Sequence, residues 1–336
     1  MFLITERSFV GLAEQFGVDL DRSRIIELDD GFLSSKKISI FSYFKASREL
    51  NRVLQKHDIK VVHFAFPYRV YLPFLYLYAR NYKTVLSFVN NVISSAGRLP
   101  NWKSALIHHS YFAIVDRIDT FYSYFTAGFP AYEKKVMVAP CSFTDYEKCT
   151  YNGEPKDLKI VCVGRLDRSK GVYLLLDALE LVFAELDASE RNRWSAVYYG
   201  RGVEEAGLMT KIKEKGLEGN VRIDFSPRMY EVLKKTSIFV SPHLVENNPS
   251  QSLLEAMACE NAVVVTDVGD TRLLLDDRHG VISGTTKEGL AQAIVTLIRD
   301  DELRIRLARQ GRSHVLGSMN IQRFSEYCIT TWNEAC

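Results

Sequence analysis

Short runs rich in Val and Ile alternate with longer amphipathic segments along almost the whole chain. This alternation is typical of βαβ units, in which helices cover both faces of a parallel sheet. The chain has 336 residues, which is more than one domain with a single hydrophobic core usually contains. This length fits two domains of about 150 residues each. We therefore predict an α/β protein built from two doubly wound domains. The predicted strands cover residues 2–5, 24–28, 60–64, 84–88, 117–121, 136–139, 159–163, 194–199, 221–225, 238–241 and 262–266.

The polar stretch 145–157 divides the chain into two halves of unlike composition. It contains Asn, Gly and Pro, which interrupt regular elements and are common in linkers. We predict one domain over residues 1–150, a second over 151–318, and an amphipathic helix within 319–336 that packs back on the first domain.

The net charge of +2 is unevenly divided between these halves. Residues 1–150 carry 19 Lys and Arg against 14 Asp and Glu, the remainder carries 24 against 27, and 27 of the 39 aromatic residues lie in the first half. No basic stretch is dense enough for a nucleic-acid-binding protein, so we exclude that class. A basic, aromatic half instead favours contact with an anionic membrane surface. The Tyr-rich residues 68–82 either rest on such a surface or pack as an aromatic helix in the core.

The sequence predicts a cytoplasmic protein, because it lacks a recognisable secretory signal, a membrane-spanning run and paired cysteine motifs. Its start has no basic region followed by a long apolar one, and no apolar run reaches about 18 residues, so we expect neither a secretory signal nor a membrane-spanning helix. Six cysteines lack C-x-x-C spacing, which favours buried thiols in a reducing compartment over disulfides or zinc ligands. The expected location is the cytoplasm, with peripheral contact to the inner face of the membrane.

The most informative segment runs from Ser241 to Cys259 at the end of one predicted strand. A polar, proline-broken loop carries Glu246 and leads into a short apolar helix that carries Glu255. This junction lies at the carboxyl edge of the predicted sheet, where open α/β folds bind their ligands. The N-terminus of the helix offers unpaired N–H groups and a positive dipole to an anion such as a diphosphate. In the alternative interpretation, Ser252-Leu-Leu-Glu255 is only a capping box.

A second loop follows the predicted strand 159–163 and reads Gly164-Arg165-Leu-Asp-Arg-Ser-Lys170. Glycine permits a sharp turn, and two cations on one short loop, Arg165 and Lys170, can bind a doubly charged diphosphate. The alternative is a solvated loop without a ligand. The pattern is neither a Walker P-loop nor the G-x-G-x-x-G dinucleotide fingerprint. A glycine turn at Gly200, after the next strand, lies at the same predicted edge.

In this order the motifs resemble the retaining family-4 glycosyltransferases of GT-B fold. The resemblance covers residues 136–277, through Gly-Arg-Leu with Lys-Gly, a Ser-Pro strand end and Leu-Leu-Glu-Ala-Met-Ala, whereas the first 120 residues share only the rhythm of strands and helices. It implies two Rossmann-like domains that face each other across a cleft, with the acceptor on the N-terminal domain and the sugar nucleotide on the C-terminal domain. It also implies an enzyme that retains anomeric configuration and needs no metal and no cofactor beyond a nucleoside-diphosphate sugar. The expected acceptor is a saccharide, lipid-linked in view of the basic first half, as in capsule, exopolysaccharide or O-antigen synthesis.

The resemblance also implies a role for each site residue. Arg165 and Lys170 would hold the diphosphate and stabilise charge on the leaving nucleoside diphosphate. Glu246 would bind hydroxyls of the donor sugar, and Glu255 would bind the ribose hydroxyls. The remaining nucleotide contacts would come from Gly164, Gly200, Asn247, Ser250, Gln251 and Ser252.

Departures from the family pattern leave alternatives open. The family separates its two glutamates by seven residues, whereas eight lie between Glu246 and Glu255, and the seven-residue spacing falls on Asn247. Either the loop bulges by one residue or Asn247 takes the sugar-binding role. The glycine-rich loop after the first strand and the histidine after the fourth are missing, and His63 is either a core histidine or a cleft residue. A catalytically silent subunit that binds nucleotide or saccharide, and an epimerase or phosphorylase of the same fold, remain alternatives.

Overall fold

The computed structural model describes residues 3–6, 10, 21–28, 40–65, 71–88, 102–140, 142 and 144–335. Parts of three predictions lie outside these ranges. They are the start of the first predicted strand, residues 68–70 of the Tyr-rich segment, and residues 89–91, among the positions compared with the family's histidine.

Strands and helices alternate in both halves of the described chain. The N-terminal strands are β1 Leu3–Glu6, β2 Ile25–Leu28, β3 Val61–Phe64, β4 Lys83–Phe88, β5 Arg117–Thr120 and β6 Val136–Val138, and the helices are α1 Ile40–Lys56, α2 Tyr71–Tyr78, α3 Trp102–Ile114 and α4 Phe125–Gly128. The C-terminal strands are β7 Asp157–Val163, β8 Ser195–Tyr199, β9 Val221–Asp224, β10 Thr236–Ser241, β11 Ala262–Thr266 and β12 Val281–Ser283. The C-terminal helices are α5 Val172–Glu185, α6 Ala188–Arg193, α7 Glu205–Glu214, α8 Met229–Lys234, α9 Gln251–Ala258, α10 Thr271–Leu274, α11 Lys287–Arg299, α12 Asp301–Ser318 and α13 Ile321–Ala335.

The strand pairs are parallel, as the alternation of strands and helices predicted. Strand β1 pairs with β2, and β3 to β6 form a second sheet in chain order. The C-terminal sheet has the order β12-β11-β10-β7-β8-β9. Strands β7 and β10 lie at the centre of this sheet. Strands β8 and β9 follow on the side of β7, and β11 and β12 follow on the side of β10. Such a switch point opens a crevice at the carboxyl ends of the two central strands. The prediction of an α/β protein with two parallel-stranded domains is confirmed.

Apolar helices cover both faces of the C-terminal sheet. On one face, α5 and α11 contribute Leu179 and Ile294, which are fully buried. On the other face, α9 and α12 contribute Met257 and Val315, which are also fully buried. Each such side chain stabilises the fold by about 1.5–3 kcal/mol through loss of water contact. This double-sided core fixes the strand ends from which the candidate site is built.

The N-terminal core is largely aromatic. The rings of Phe112 and Phe129 meet edge to face with centroids 4.8 Å apart, a favourable geometry for such pairs. The described part of the Tyr-rich segment joins this core through Phe74 of α2, which is fully buried, while Tyr76 and Leu77 stay exposed. In its described part this segment is therefore a core helix with one exposed edge.

Helix α13 is fastened to the N-terminal sheet by a chain of hydrogen bonds. Trp332 Nε1 donates to His63 Nδ1 at 3.0 Å, and the Tyr327 hydroxyl donates to Asp119 Oδ1 at 2.6 Å. Ser87 joins the two ends, because its Oγ lies 2.6 Å from His63 Nε2 and donates to Asp119 Oδ2 at 2.6 Å. Since Nδ1 accepts from the indole, these partners assign His63 as the neutral tautomer with its proton on Nε2. Burial lowers the pKa of His63, which agrees with that assignment. His63 thus packs between the N-terminal sheet and α13.

The first part of the predicted linker is fixed to the C-terminal domain. Tyr146 and Cys149 are buried in its core, and the Tyr146 hydroxyl donates to the Met319 carbonyl at 2.8 Å. Strand β7 then begins at Asp157. Within the described ranges, the helices are all too short or too polar to cross a bilayer.

Replacing Trp332 by Phe removes the indole N–H but keeps an aromatic ring on α13. We expect the free energy of unfolding at neutral pH to fall by about 1 kcal/mol, the usual net contribution of one hydrogen bond. Because folding favours neutral His63, its contribution is complete above the ordinary pKa of 6.5 and is lost as the pH falls below that value. In Trp332→Phe, Nδ1 can take a proton, so this acid-dependent loss should become smaller. Denaturant unfolding at several pH values measures both effects, and superimposable curves for the two proteins would contradict the network.

Candidate functional site

The switch point brings together the two loops that the sequence singled out. The loop after β7 carries Gly164 to Lys170, and the loop after β10 leads to α9. Both leave the sheet at its carboxyl edge, so they border the same crevice. A small hollow there is lined by His243, Glu246, Asn247, Asn248, Ser250 and Thr266.

Two glycines lie side by side where β7 and β8 end. Gly164 N donates to the Tyr199 carbonyl at 3.1 Å, and Gly200 has a φ of +157°. A Cβ on Gly200 would lie 1.9 Å from the Gly164 carbonyl oxygen, so only glycine allows this approach. The predicted glycine turns therefore lie next to each other at the edge of the crevice.

Asp167 shapes the rest of the loop after β7. Its carboxylate accepts from Lys170 N at 3.2 Å and from the Ser169 hydroxyl. The guanidinium of Arg165 is 80% exposed and lies 3.8 Å from this carboxylate. Because an exposed pair at that distance contributes little, the guanidinium is available to an anionic ligand.

Lys170 joins the two loops across the crevice. Its ammonium donates to Asn247 Oδ1. Burial lowers the pKa of Lys170, and the nearby Asp167 opposes that shift. The pKa of the buried His243 is lowered to about 3 by burial and by the charge of Lys170, so its imidazole is neutral at physiological pH.

Glu246 is buried, and backbone N–H groups hold its carboxylate. Oε1 accepts from Asn248 N at 2.8 Å, and Oε2 accepts from Asp270 N. Burial raises the pKa of Glu246, and these N–H groups oppose the shift. Gly269 has a φ of +51°, and a Cβ there would lie 1.7 Å from Glu246 Oε2. The carboxylate fits against the loop after β11 only because residue 269 is glycine.

Helix α9 begins with polar groups that lack partners. Ser250 is its N-cap residue but makes no side-chain cap bond. In the part of the chain that the structure describes, Ser250 Oγ and Asn248 Oδ1 are buried, line the hollow and have no hydrogen-bond partner. The first helical bond runs from Leu254 N to the Ser250 carbonyl at 3.1 Å, so the N–H groups of residues 251–253 have no acceptor within the helix. The free N–H groups and the Ser250 hydroxyl can donate to an anion, whereas Asn248 Oδ1 can only accept a hydrogen bond, for example from a ligand hydroxyl.

The capping-box interpretation of Ser252 and Glu255 is wrong. Ser252 lies inside α9, and its hydroxyl donates to the Val163 carbonyl at 3.3 Å. Glu255 is partly buried, and burial raises the pKa of its carboxyl group. Within the described ranges, this carboxylate has neither a hydrogen bond nor an ion pair. It is therefore open to hydroxyl donors.

Gln251 has side-chain partners within the protein. Its Nε2 donates to Ser142 Oγ at 3.2 Å, and its Oε1 accepts from the Thr144 hydroxyl. Both partners precede the predicted linker, so this side chain fixes the path of the chain between the domains. Its backbone N–H is the group that remains for a ligand.

Asn248 and Asp270 join the site to the segment that follows β5 of the N-terminal domain. Asn248 Nδ2 donates to the Phe121 carbonyl at 2.6 Å. Ser123 donates to the Asp270 carboxylate through its N–H at 2.7 Å and through its hydroxyl at 2.5 Å. Tyr122 is buried, and burial together with two nearby carboxylates raises its pKa to about 12. The phenol therefore remains protonated beside these acidic groups.

Sequence reasoning missed His243, Asp270 and Ser123 as parts of this site. The first two follow predicted strands by a few residues, which was a usable signal because strand ends collect at the carboxyl edge. Ser123 gave no such signal, because its role depends on how the two domains approach. No group of three or more His, Cys, Asp or Glu side chains in the described ranges is arranged to hold a metal ion.

Comparison with known proteins shows which family the C-terminal half of this chain resembles. Residues 157–300 match the family model described as Glycosyl transferases group 1. Through this segment the chain resembles the group 1 glycosyl transferases. The N-acetylgalactosamine-N,N'-diacetylbacillosaminyl-diphospho-undecaprenol 4-alpha-N-acetylgalactosaminyltransferase of Campylobacter jejuni is 33% identical over 153 residues, which are 44% of this chain and 40% of that protein. The phosphatidyl-myo-inositol mannosyltransferase of Mycolicibacterium smegmatis is 28% identical over 163 residues, which are 46% and 39%. The chain thus matches about two fifths of the length of these curated relatives.

Solved structures of glycosyltransferases extend the likeness to both domains. A glycosyltransferase from Rickettsia africae has a TM-score of 0.75 at 14% identity, over 99% of this chain and 89% of that one. The Anabaena protein HepE, crystallised in complex with UDP, has a TM-score of 0.77 at 13% identity, over 97% and 89%. The predicted GT-B fold is confirmed.

Replacing Gly269 by Ala places a methyl group where the Glu246 carboxylate lies. We expect the free energy of unfolding to fall by about 1–3 kcal/mol, because the loop must shift or strain its positive-φ backbone. Gly284→Ala is the matched control, since no atom lies within 4 Å of its added Cβ. The control should change stability by less than about 0.5 kcal/mol. Denaturant unfolding measures both variants, and equal stability would contradict this placement of Glu246.

Proposed function

We propose that this chain transfers a sugar from a nucleoside-diphosphate sugar to a lipid-linked saccharide during synthesis of a bacterial surface polysaccharide. The observation that carries the proposal is the pairing of Lys170 with Asn247 beside the N-terminus of α9, where the Ser250 hydroxyl is buried without a partner. A diphosphate fits this arrangement, because a cation, a helix dipole and free N–H groups all favour negative charge.

Each donor group has a partner in this proposal. Lys170, Arg165 and the first N–H groups of α9 bind the diphosphate. Glu255, whose carboxylate is free, accepts hydrogen bonds from the ribose hydroxyls. Asn247 lies at the cation and contacts the sugar next to the phosphate. Glu246 orders the loop through two backbone N–H groups and keeps further lone pairs for sugar hydroxyls.

Transition-state stabilisation follows from the same groups. Cleavage of the glycosidic bond places negative charge on the leaving nucleoside diphosphate, which Lys170, Arg165 and the helix N-terminus stabilise more strongly than the intact donor. The neutral His243 lets the positive charge of Lys170 act alone at this point. These groups supply the charge that a metal ion supplies elsewhere, so the proposal includes metal independence. Retention of configuration, with the donor phosphate assisting deprotonation of the acceptor, is adopted from the family resemblance.

The names of the relatives support a lipid-linked acceptor. The Campylobacter protein is named for a diphospho-undecaprenol acceptor and the Mycolicibacterium protein for phosphatidyl-myo-inositol. HepE was crystallised with UDP. We therefore propose a lipid-linked saccharide as the acceptor and a UDP-sugar as the first donor to test.

Helix α1 gives the N-terminal domain a surface suited to an anionic membrane. Phe41 is 82% exposed and Phe44 is 42% exposed. Lys45, Arg48 and Arg52 are exposed and continue the same stripe at helical spacing. Aromatic side chains that enter the interface, together with cations that meet anionic headgroups, favour peripheral binding. We include this stripe in the proposal as the contact with the inner face of the cytoplasmic membrane.

Nucleotide binding tests the donor site. Lys170→Met removes a partly buried cation but keeps an apolar stem, so it should weaken UDP binding at least about tenfold and UMP binding less. Glu255→Gln should weaken both nucleotides by the same factor, because both carry the ribose. Arg168→Met is the matched control on the same loop, because the guanidinium of Arg168 pairs with Glu204 at 2.9 Å. The affinity of this variant for UDP should stay within about twofold of wild type. Calorimetry measures these affinities, with GDP and GMP as the second series. Unchanged affinity in both site variants contradicts the donor site.

Transfer is tested by incubating the protein with labelled sugar nucleotides and membrane lipid extract. We expect label to appear in the lipid fraction without added metal, and NMR of the product then reports the anomeric configuration. Nucleotide binding without transfer from any common donor would contradict the enzymatic proposal and leave a nucleotide-binding subunit.

Membrane contact is tested by sedimentation with vesicles that contain phosphatidylglycerol. The double variant Phe41→Ser/Arg48→Glu should reduce the bound fraction by about fivefold or more, because each basic side chain near the surface contributes about 1 kcal/mol. The double variant Ile305→Ser/Arg306→Glu on α12 is the matched control, since it alters an exposed apolar residue and an exposed cation of the C-terminal domain. Equal binding of wild type and both variants contradicts a contact through α1.

A further inference from the structure

Three consecutive side chains of the loop after β10 contact three different segments. Glu246 accepts from a backbone N–H of the loop after β11. Asn247 accepts from the ammonium of the loop after β7. Asn248 donates to the Phe121 carbonyl of the N-terminal domain at 2.6 Å. The loop that is proposed to bind the donor is therefore fixed from three sides, and one of them belongs to the other domain.

Asp270 provides the second link between the domains. Its side chain is only 7% exposed, and it accepts two hydrogen bonds from Ser123, at 2.7 and 2.5 Å. No cation pairs with it in the part of the chain that the structure describes. Because a buried carboxylate is costly to leave without donors, this conformation of Asp270 depends on Ser123. The Asp270 N–H also donates to Glu246 of the loop after β10, which we call the donor loop. Asp270 therefore connects Ser123 to the donor loop.

The segment that carries these links has its own support in the N-terminal half. Phe121 is buried, and its ring stacks on Phe324 of α13 with centroids 5.9 Å apart. Tyr122 is buried as well. Residues 121–123 are thus fixed to the N-terminal domain and to α13. They move with the N-terminal domain when that domain changes its position.

We propose that the Asn248–Phe121 and Asp270–Ser123 hydrogen bonds form a latch through which closure of the cleft orders the donor loop. Asp270 is then a positioning residue that acts through Glu246, and the inference rests on the proposed function. When the domains close, Ser123 satisfies Asp270 and the loop takes the conformation described here. When they separate, both links break and the loop is released. Ordering the donor site only in the closed state favours transfer to an acceptor over hydrolysis by water.

Hydrogen exchange tests the latch without any substrate. In Asp270→Ala the Ser123 amide loses its acceptor, and the Asn248 amide, which donates to Glu246, lies on the far side of the latch. We expect exchange to become about tenfold faster or more at both amides. Asp270→Asn keeps an acceptor oxygen and should retain most of the protection. Asp267→Asn is the matched control on the same loop, because its carboxylate pairs with an arginine of the same domain at 2.9 Å.

Turnover tests whether the latch acts on the reaction. Asp270→Ala should lower kcat about tenfold or more while UDP affinity stays within about twofold, because UDP lacks the sugar that Glu246 and Asn247 are proposed to contact and binds instead to Lys170, Arg165, Glu255 and α9. Ser123→Ala should lower kcat in the same direction. The double variant should be no worse than Asp270→Ala alone, since both substitutions act through one contact. Asp267→Asn should keep the kcat of wild type.

The outcomes separate the latch from the proposed function. An unchanged exchange rate of the Asn248 amide in a folded Asp270→Ala protein overturns the latch. If Asp270→Ala does not fold, Ser123→Ala gives the same test from the other domain. Faster exchange with unchanged kcat overturns the positioning role. A wild-type protein that binds no nucleotide and transfers no sugar overturns the proposed function, and the exchange measurement then decides the latch by itself.

Discussion

The hydrogen bond between Lys170 and Asn247 joins the two loops on which the rest of the site depends. The loops follow β7 and β10, which are neighbours in the sheet although more than seventy residues separate them in the chain. An amide oxygen accepts from the ammonium without adding negative charge, so the pair keeps its net positive charge for a diphosphate. The family spacing of seven residues falls on Asn247, whose amide accepts from Lys170. Glu246, one residue earlier, has a different part in the structure, because its carboxylate is bonded to backbone N–H groups.

Much of the architecture could be predicted because its strands are buried on both faces. The segment Ala262–Thr266 is buried throughout and reads as a continuous apolar run, so it was placed correctly. Strand β12, Val281–Ser283, was missed because it is short, lies at the sheet edge and is only partly buried. Lys170 and Glu255 could be singled out for a related reason, since the carboxyl ends of parallel strands and the helices that follow them collect at one edge.

Tertiary contacts decided the points that local patterns could not. Ser252 and Glu255 match the capping-box pattern, yet the helix begins before Ser252, and its hydroxyl bonds to the Val163 carbonyl of a neighbouring strand. The links from Phe121 to the loop after β10 and from Ser123 to Asp270 depend on the packing of one domain against the other. Neither link leaves a periodic or compositional trace in the sequence. The N-terminal side of the cleft is accordingly the part of the molecule about which sequence reasoning said least.

The central claim is that the carboxyl edge of the C-terminal sheet holds a nucleoside diphosphate between Lys170 and the first turn of α9. The most direct measurement is a crystal structure of the protein with UDP or GDP, whichever binds. We expect the diphosphate within hydrogen-bond distance of the Lys170 ammonium and of the N–H groups of residues 251–253, with the ribose on Glu255. A nucleotide bound at another surface, or a diphosphate that reaches neither Lys170 nor α9, would contradict the account.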